Sequence, residues 1–115
     1  MLLNLSNHPS NKWTPEQIKA ANTQYGQVID MPFPNIPPAF TEQQIEALAN
    51  EYLVAIEAHK PTAVHLMGEM TFTYVLVNKL KAANIKCLAS TTNRTVQEIN
   101  NKKIVQFQFV QFRQY

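Results

Sequence analysis

The 115-residue sequence predicts an α/β domain whose mostly parallel five-stranded sheet is covered by helices on both faces. Three observations carry this. Short apolar runs alternate with helical segments in the order β-α-β-α-β-α-β-β. Two of the helical segments open on capping-box residues. The last segment alternates apolar and polar residues with period two. Parallel neighbours need right-handed crossovers, hence helices over the sheet; the expected strand order is 2-1-3-4-5 with the last strand antiparallel.

Leu2-Leu3-Asn4-Leu5 is a short apolar run closed by Ser6-Asn7-His8-Pro9-Ser10, a buried strand ending in a polar loop. Thr14-Pro15-Glu16-Gln17 supplies an N-cap, a proline at the first helical position and a capping-box glutamine. Ile18, Ala21 and Tyr25 follow at helical spacing, and Gly26 stops this first helix, residues 14–25. Gln27 to Met31 reads as a second strand, after which Pro32, Pro34, Pro37 and Pro38 force an extended connection. Thr41-Glu42-Gln43-Gln44 repeats the capping box, and Ile45, Leu48, Ala49, Tyr52 and Ile56 form one apolar stripe that ends near Lys60-Pro61. Ala63 to Met67 is a third strand, stopping at Gly68. Residues 71–83 form a third helix on Val75, Leu76 and Leu80, with packing offsetting the low propensity of its Thr and Val residues. Ile85 to Ala89 is a fourth strand ending in the polar run Ser90 to Arg94. In residues 104–113, Ile104, Gln106 and Gln108 face away from Val105, Phe107 and Phe109, which marks a last strand after the turn Asn100 to Lys103.

Composition narrows the function. Hydrophobic residues make up 45% of the chain and charged residues 16%, as in an ordinary folded domain, and the length suits one domain over 1–115. No apolar run is long enough for a membrane span. Met1-Leu2-Leu3 lacks the basic start of a signal peptide, and the lone Cys87 fits a reducing interior, so the expected location is cytoplasmic. With only Gly26 and Gly68, neither the dinucleotide fingerprint nor the Walker phosphate loop can be written, which removes two large enzyme classes. Charge is uneven: two basic and six acidic side chains lie in residues 1–57, against eight and two in 58–115. The basic residues are scattered rather than clustered, which speaks against duplex nucleic acid as a partner.

In open α/β sheets, ligands bind beyond the carboxyl ends of the strands where the strand order reverses, here between the first and third strands. Three polar segments share that edge: Ser6-Asn7-His8; Gly68-Glu69-Met70-Thr71-Phe72-Thr73; and Ser90-Thr91-Thr92-Asn93-Arg94. Hydroxyl and amide groups beside backbone N–H groups at a helix start suit phosphate and ribose oxygens, and Arg94 adds a bidentate phosphate contact. The same residue types are ordinary caps and turn formers, and only their convergence favours a site. His8 carries an imidazole, the side chain most often used for acid–base chemistry. Glu69 at a helix start is stabilised by the dipole but repels phosphate, which leaves it a ribose hydroxyl to accept from. His65, inside a strand, reads as a packing histidine and His59 as a solvated helix-end cation; neither joins a metal-ligand pattern. Trp13, Phe33 and Phe40 read as loop anchors, and Phe107, Phe109 and Phe112 as packing for a core or dimer face.

The segments Leu-Leu-Asn-Leu-Ser-Asn-His-Pro, Met-Gly-Glu-Met-Thr-Phe-Thr and Ser-Thr-Thr-Asn-Arg resemble the small stand-alone CARF-like proteins associated with type III CRISPR systems. The resemblance spans most of the chain and is diffuse. It implies a Rossmann-like three-layer fold, a homodimer, and binding of a cyclic oligoadenylate such as cyclic tetra- or hexa-adenylate across the dimer. Some members of that family cut the ring as metal-independent ring nucleases, without a cofactor. Cleavage then proceeds by attack of a ribose 2′-hydroxyl on its neighbouring phosphate. On this reading Arg94 stabilises phosphoryl charge and His8 or Glu69 transfers the proton. Ser6, Asn7, Gly68, Met70, Thr71, Thr73, Thr91 and Thr92 form the ligand loops. Two alternatives stay open in the sequence: a sensor or sponge that binds the ring without cutting it, and a structural interaction subunit whose edge loops are plain turns.

Overall fold

A computed structural model describes residues 1–115. Five strands form one sheet in the order β2-β1-β3-β4-β5. In chain order the elements are β1 (Leu2–Ser6), a 3₁₀ turn (Ser10–Lys12), α1 (Pro15–Tyr25), β2 (Val28–Asp30), α2 (Glu42–His59), β3 (Ala63–Met67), α3 (Met70–Ala82), β4 (Lys86–Ile99) and β5 (Lys102–Gln114). β1 pairs in parallel with β2 and β3, β3 pairs in parallel with β4, and β4 and β5 are antiparallel. This is the expected fold. No helix is long and apolar enough to cross a membrane.

The helices start where the sequence places caps. Thr14 Oγ1 accepts from Gln17 N, and Thr41 and Gln44 complete a reciprocal capping box at α2. Alternation along the buried strands sends side chains to two cores. Leu3, Leu5, Val64, Leu66 and Cys87 pack under α2 and α3 with Ile45, Ala49, Ile56, Phe72, Leu76 and Leu80. Leu2, Ala63 and Leu88 pack on the other face against Ala21 of α1, flanked by Trp13, Tyr25, Val28 and Phe112.

The structure corrects one segment. Ser90 to Arg94 is not a loop after a short fourth strand: β4 continues to Ile99, and its whole length beyond Leu88 pairs with β5. Thr91, Thr92, Thr95 and Val96 are β-branched, and with a partner strand beside them strand packing outweighs the turn tendency of Ser, Thr and Asn. The hairpin turns on Asn100 and Asn101 alone, both left-handed with φ of 53° and 62°, the geometry that a two-residue turn between twisted strands demands.

One irregularity sets the faces of the hairpin. Ser90 pairs with Phe112 and Thr91 with Gln111, but Thr92 pairs with Phe109, so β5 carries one extra residue at Val110. The bulge changes the phase of the strand. Without it Phe112 would face away from Phe107 and Phe109; with it all three share one face with Ser90, Thr92 and Arg94. The Phe112 ring meets Trp13, Tyr25, His65 and Phe109 at centroid distances of 5.0–6.3 Å.

Candidate functional site

On the α1 side, the sheet grades from apolar to polar along the strand direction. Leu2 and Ala63 form its first row. The second row holds Asp30, Asn4 and His65 side by side on β2, β1 and β3, in register across the sheet. α1 contributes one buried residue, Ala21, and covers the apolar end. The polar end is covered instead by the turn after β1 and by Trp13, whose indole Nε1 donates to His8 O at 3.0 Å.

The second row is hydrogen-bonded end to end, and chemistry fixes the direction of each bond. Asp30 is an acceptor. Partial burial pushes its carboxyl up, but bonds from Asn4 and Ser10 together outweigh that and hold it below the usual carboxylate range. Asn4 Nδ2 donates to Asp30 Oδ1 at 2.8 Å and to His8 O at 2.9 Å, so the amide orientation is determined. Asn4 Oδ1 therefore faces His65 Nδ1 at 2.9 Å and accepts from it. His65 carries its proton on Nδ1, and the bare Nε2 accepts from Ser90 Oγ at 2.6 Å. Ser90 Oγ in turn accepts from Gln17 Nε2 at 3.0 Å. Burial, and secondarily the charge of His8, push His65 down to about 4, so the ring is neutral at pH 7.

Above this row opens a cavity of about 540 Å³. Its walls are Ser6 at the end of β1 with Asn7 and His8 beyond it, Lys12, Trp13, Thr14 and Gln17 at the start of α1, His65, Met67 and Gly68 at the end of β3, and Ser90, Thr92, Phe107 and Phe109 on the hairpin. The position is the crevice between β1 and β3 where the strand order reverses. Aromatic faces, hydroxyls, one lysine and one exposed histidine thus meet around a single opening.

Five of the expected site residues border this cavity: Ser6, Asn7, His8, Gly68 and Thr92. Ser6 works within the wall, its hydroxyl lying 2.9 Å from Asn4 Oδ1 and 3.1 Å from His8 O. The others lie elsewhere. Glu69 is the N-cap of α3, accepting from Thr71 Oγ1 and from the N–H groups of Thr71 and Phe72, and these bonds hold its carboxyl below the ordinary range. The carboxylate and Thr71 thereby satisfy each other at the helix start instead of reaching the cavity. Met70 is exposed on another surface, and Thr73 is buried in α3 with its hydroxyl unpartnered. Thr91 faces the opposite side of the hairpin, where its hydroxyl donates to Gln111 O at 3.2 Å. Arg94 shares the face of Thr92 but sits one step further out, paired with Phe107 and beyond the cavity rim.

Asn4, Asp30, His65, Gln17, Lys12 and Trp13 were not among the expected site residues, and Ser90 was expected only as the start of the polar run to Arg94 and with no role of its own. A usable signal existed for two of them. Asn4 interrupts one buried apolar strand and His65 interrupts the next, each in the strand interior, and two polar side chains buried in adjacent strands must satisfy one another. Gly68 borders the cavity for a packing reason: a Cβ there would run into the ring of Phe33.

A family model matches residues 1–113, from the first strand through Arg113 of the last. The chain belongs to the uncharacterized protein MJ1673 family. No curated protein and no solved structure matches it. The family match takes in both strands of the hairpin, so the wall formed by Ser90, Thr92, Phe107 and Phe109 is part of the family's unit.

Proposed function

We propose that the protein binds a cyclic oligoadenylate and cleaves it by metal-independent attack of a ribose 2′-hydroxyl on the adjacent phosphate, as a ring nuclease of type III CRISPR signalling. The cavity at the sheet's switch point carries the reading. At about 540 Å³ it lies within the roughly 300–1,000 Å³ range of small-molecule sites. Its wall combines what a nucleotide needs: Trp13, Phe107 and Phe109 for bases, Lys12 for phosphate, and Ser6, Asn7, Thr14 and Thr92 for ribose and phosphoryl oxygens. The resemblance to CARF-like proteins supplies the identity of the nucleotide.

Of the proton-transfer residues considered, His8 fits best, because its exposed imidazole borders the cavity while the Glu69 carboxylate is engaged at the start of α3. The protein contributes in-line positioning of the 2′-hydroxyl and stabilisation of phosphoryl charge, effects of several kcal/mol in well-built sites. A ring of four or six nucleotides exceeds one such cavity, which favours a two-fold pair of protomers. The hairpin supports the pairing: Phe107 is 62% exposed, and Val96 and Val105 are exposed on the same face. An isolated two-stranded hairpin is at best marginally stable in water, so a second copy is its natural cover. In such a pair Arg94, on that face, meets the ligand or the partner rather than its own cavity.

Incubation with cyclic tetra- and hexa-adenylate in the presence of chelator, followed by chromatography, tests the reading. Linear products ending in a 2′,3′-cyclic phosphate are expected. A ring that binds and returns intact makes the protein a sponge, and a ring that does not bind removes the reading. Light scattering reports the dimer.

A further inference from the structure

We propose that Ser90 is a catalytic hydroxyl, relaying the proton of the attacking ribose 2′-hydroxyl to Nε2 of His65, which Asn4 and Asp30 hold in the one tautomer able to receive it. This rests on the ring-nuclease reading above and deepens it. The direction of the hydrogen-bond row carries the inference. A buried histidine at this position needs partners, and here those partners fix its tautomer and leave the far end of the row, Ser90 Oγ, at the cavity wall. Here the carboxylate of Asp30 fixes the Asn4 amide, the amide fixes His65 as the Nδ1–H form, and Nε2 is left to accept from Ser90 at 2.6 Å. Every member of the row is committed except at its last atom.

Ser90 Oγ donates to His65 and accepts from Gln17 Nε2, which leaves one lone pair unused. Ser90 is only partly buried and forms part of the cavity wall, whereas His65 is 3% exposed and offers almost no surface of its own. A ribose hydroxyl therefore meets the serine first. When it donates to the free lone pair, the path from substrate to imidazole is continuous.

The O2′–H bond breaks as the O2′–P bond forms. The released proton goes to Ser90 Oγ while the serine's own proton moves to His65 Nε2, giving an imidazolium whose Nδ1–H remains on Asn4 Oδ1. The P–O5′ bond breaks with its electron pair going to the 5′-oxygen, which takes a proton from His8 at the cavity mouth. The imidazolium then returns its proton through Ser90 to solvent, and solvent reprotonates His8. No external oxidant, reductant or further nucleophile is needed. Ser90 touches the substrate; His65 acts through it as a positioning and proton-accepting residue, with Asn4 and Asp30 behind.

The test is single-turnover cleavage of cyclic tetra-adenylate by the full chain, with binding of the same ring measured by calorimetry. Ser90→Ala should slow cleavage by roughly 10²- to 10⁴-fold with affinity within a few-fold, and Ser90→Thr, which keeps the hydroxyl, should recover most of the rate. His65→Asn keeps a donor for Asn4 but has nothing at the Nε2 position. It should slow cleavage as much as Ser90→Ala, and the double variant should be no slower than either, because both interrupt one path. If the parent cleaves and Ser90→Ala cleaves at the parent rate, the relay is wrong and the ring-nuclease reading stands. Multiplicative losses in the double variant, or a Ser90→Thr rate as low as that of Ser90→Ala, also overturn it. If the parent leaves the ring intact, the reading falls and the relay with it. Should the buried His65→Asn variant fail to fold, the partly exposed Ser90 pair of variants decides alone.

Discussion

Lowering the pH from 7 to 5 should weaken the fold through one residue, His65. Its pKa stands near 6.5 in the unfolded chain and about 4 in the fold, where burial comes first and the neighbouring His8 charge second in disfavouring the imidazolium. Between those values the unfolded chain carries the proton at equilibrium and the resting native chain does not, so stability falls as pH falls. The contribution is complete above about pH 6.5, declines through the window, and has nothing more to lose below about pH 4. At about 1.36 kcal/mol per pKa unit the full effect is on the order of 3 kcal/mol, of which about 2 kcal/mol is gone by pH 5. For a domain that is stable by roughly 5–15 kcal/mol this is a large share. Urea unfolding at pH 7, 6 and 5 reads it directly: the parent midpoint should drop by roughly 1 M or more across the series. The His65→Asn variant, which cannot titrate there, should drop much less. Asp30 and Glu69, whose carboxyls are held low, add losses of the same sign as the pH approaches the carboxylate range, but they are present in both proteins and cancel in the difference. Parallel losses in parent and variant would refute the buried, neutral His65.

Gly68→Ala should cost about 1–3 kcal/mol, because the new methyl group meets the Phe33 ring; trimming that ring in Phe33→Leu should restore part of the loss in a double-variant cycle. Lys12→Ala should weaken cyclic tetra-adenylate binding by roughly 10-fold or more and flatten its salt dependence, as loss of one charge-assisted phosphate contact of about 1.5–3 kcal/mol requires; unchanged affinity and slope by calorimetry would take Lys12 out of the site. His8→Ala should slow single-turnover cleavage by roughly 10²- to 10⁴-fold with affinity held within a few-fold, while its backbone carbonyl continues to accept from Asn4 and Trp13. Chelator should change the rate of neither parent nor variant. Trp13 is the one tryptophan in the chain and lies at the cavity wall, 5.1 Å from the His65 ring, so binding of cyclic tetra-adenylate should change its fluorescence.

The alternation of strands and helices was legible because parallel crossovers are handed, and because the caps at Thr14 and Thr41 are local chemistry that tertiary context did not override. The cavity lies at the strand-order reversal that topology singles out. What the sequence hid was pairing. Ser90 to Arg94 has the composition of a turn, and only the presence of β5 beside it makes those residues a strand. The expected fourth strand therefore stopped ten residues early, and with it Thr91 and Arg94 were drawn towards an edge they do not reach. His65 read as packing because burial is visible in an apolar run, whereas a hydrogen-bond partner 61 residues away is visible only once β1 and β3 are in register. Glu69 shows the converse: its position at a helix start was correctly read as favourable to a carboxylate, and that same favour occupies both its oxygens.

The extra residue in β5 makes the hairpin unusually sensitive to length. Substitutions at Val110, which is exposed, should be well tolerated. Deleting it is another matter. Closing the bulge while the Asn100-Asn101 turn keeps its register would leave Phe107 and Phe109 in place and turn the chain beyond them over, carrying Phe112 off the Trp13, Tyr25 and His65 rings and pulling Tyr115 from the Leu66 carbonyl that it reaches at 2.6 Å. Sliding the turn instead would spare Phe112 and flip the outer half of the hairpin. Descendants of this chain are thus freer to vary the letter at this position than to lose it, and an insertion or deletion here marks a change in which face of the hairpin the aromatic residues occupy.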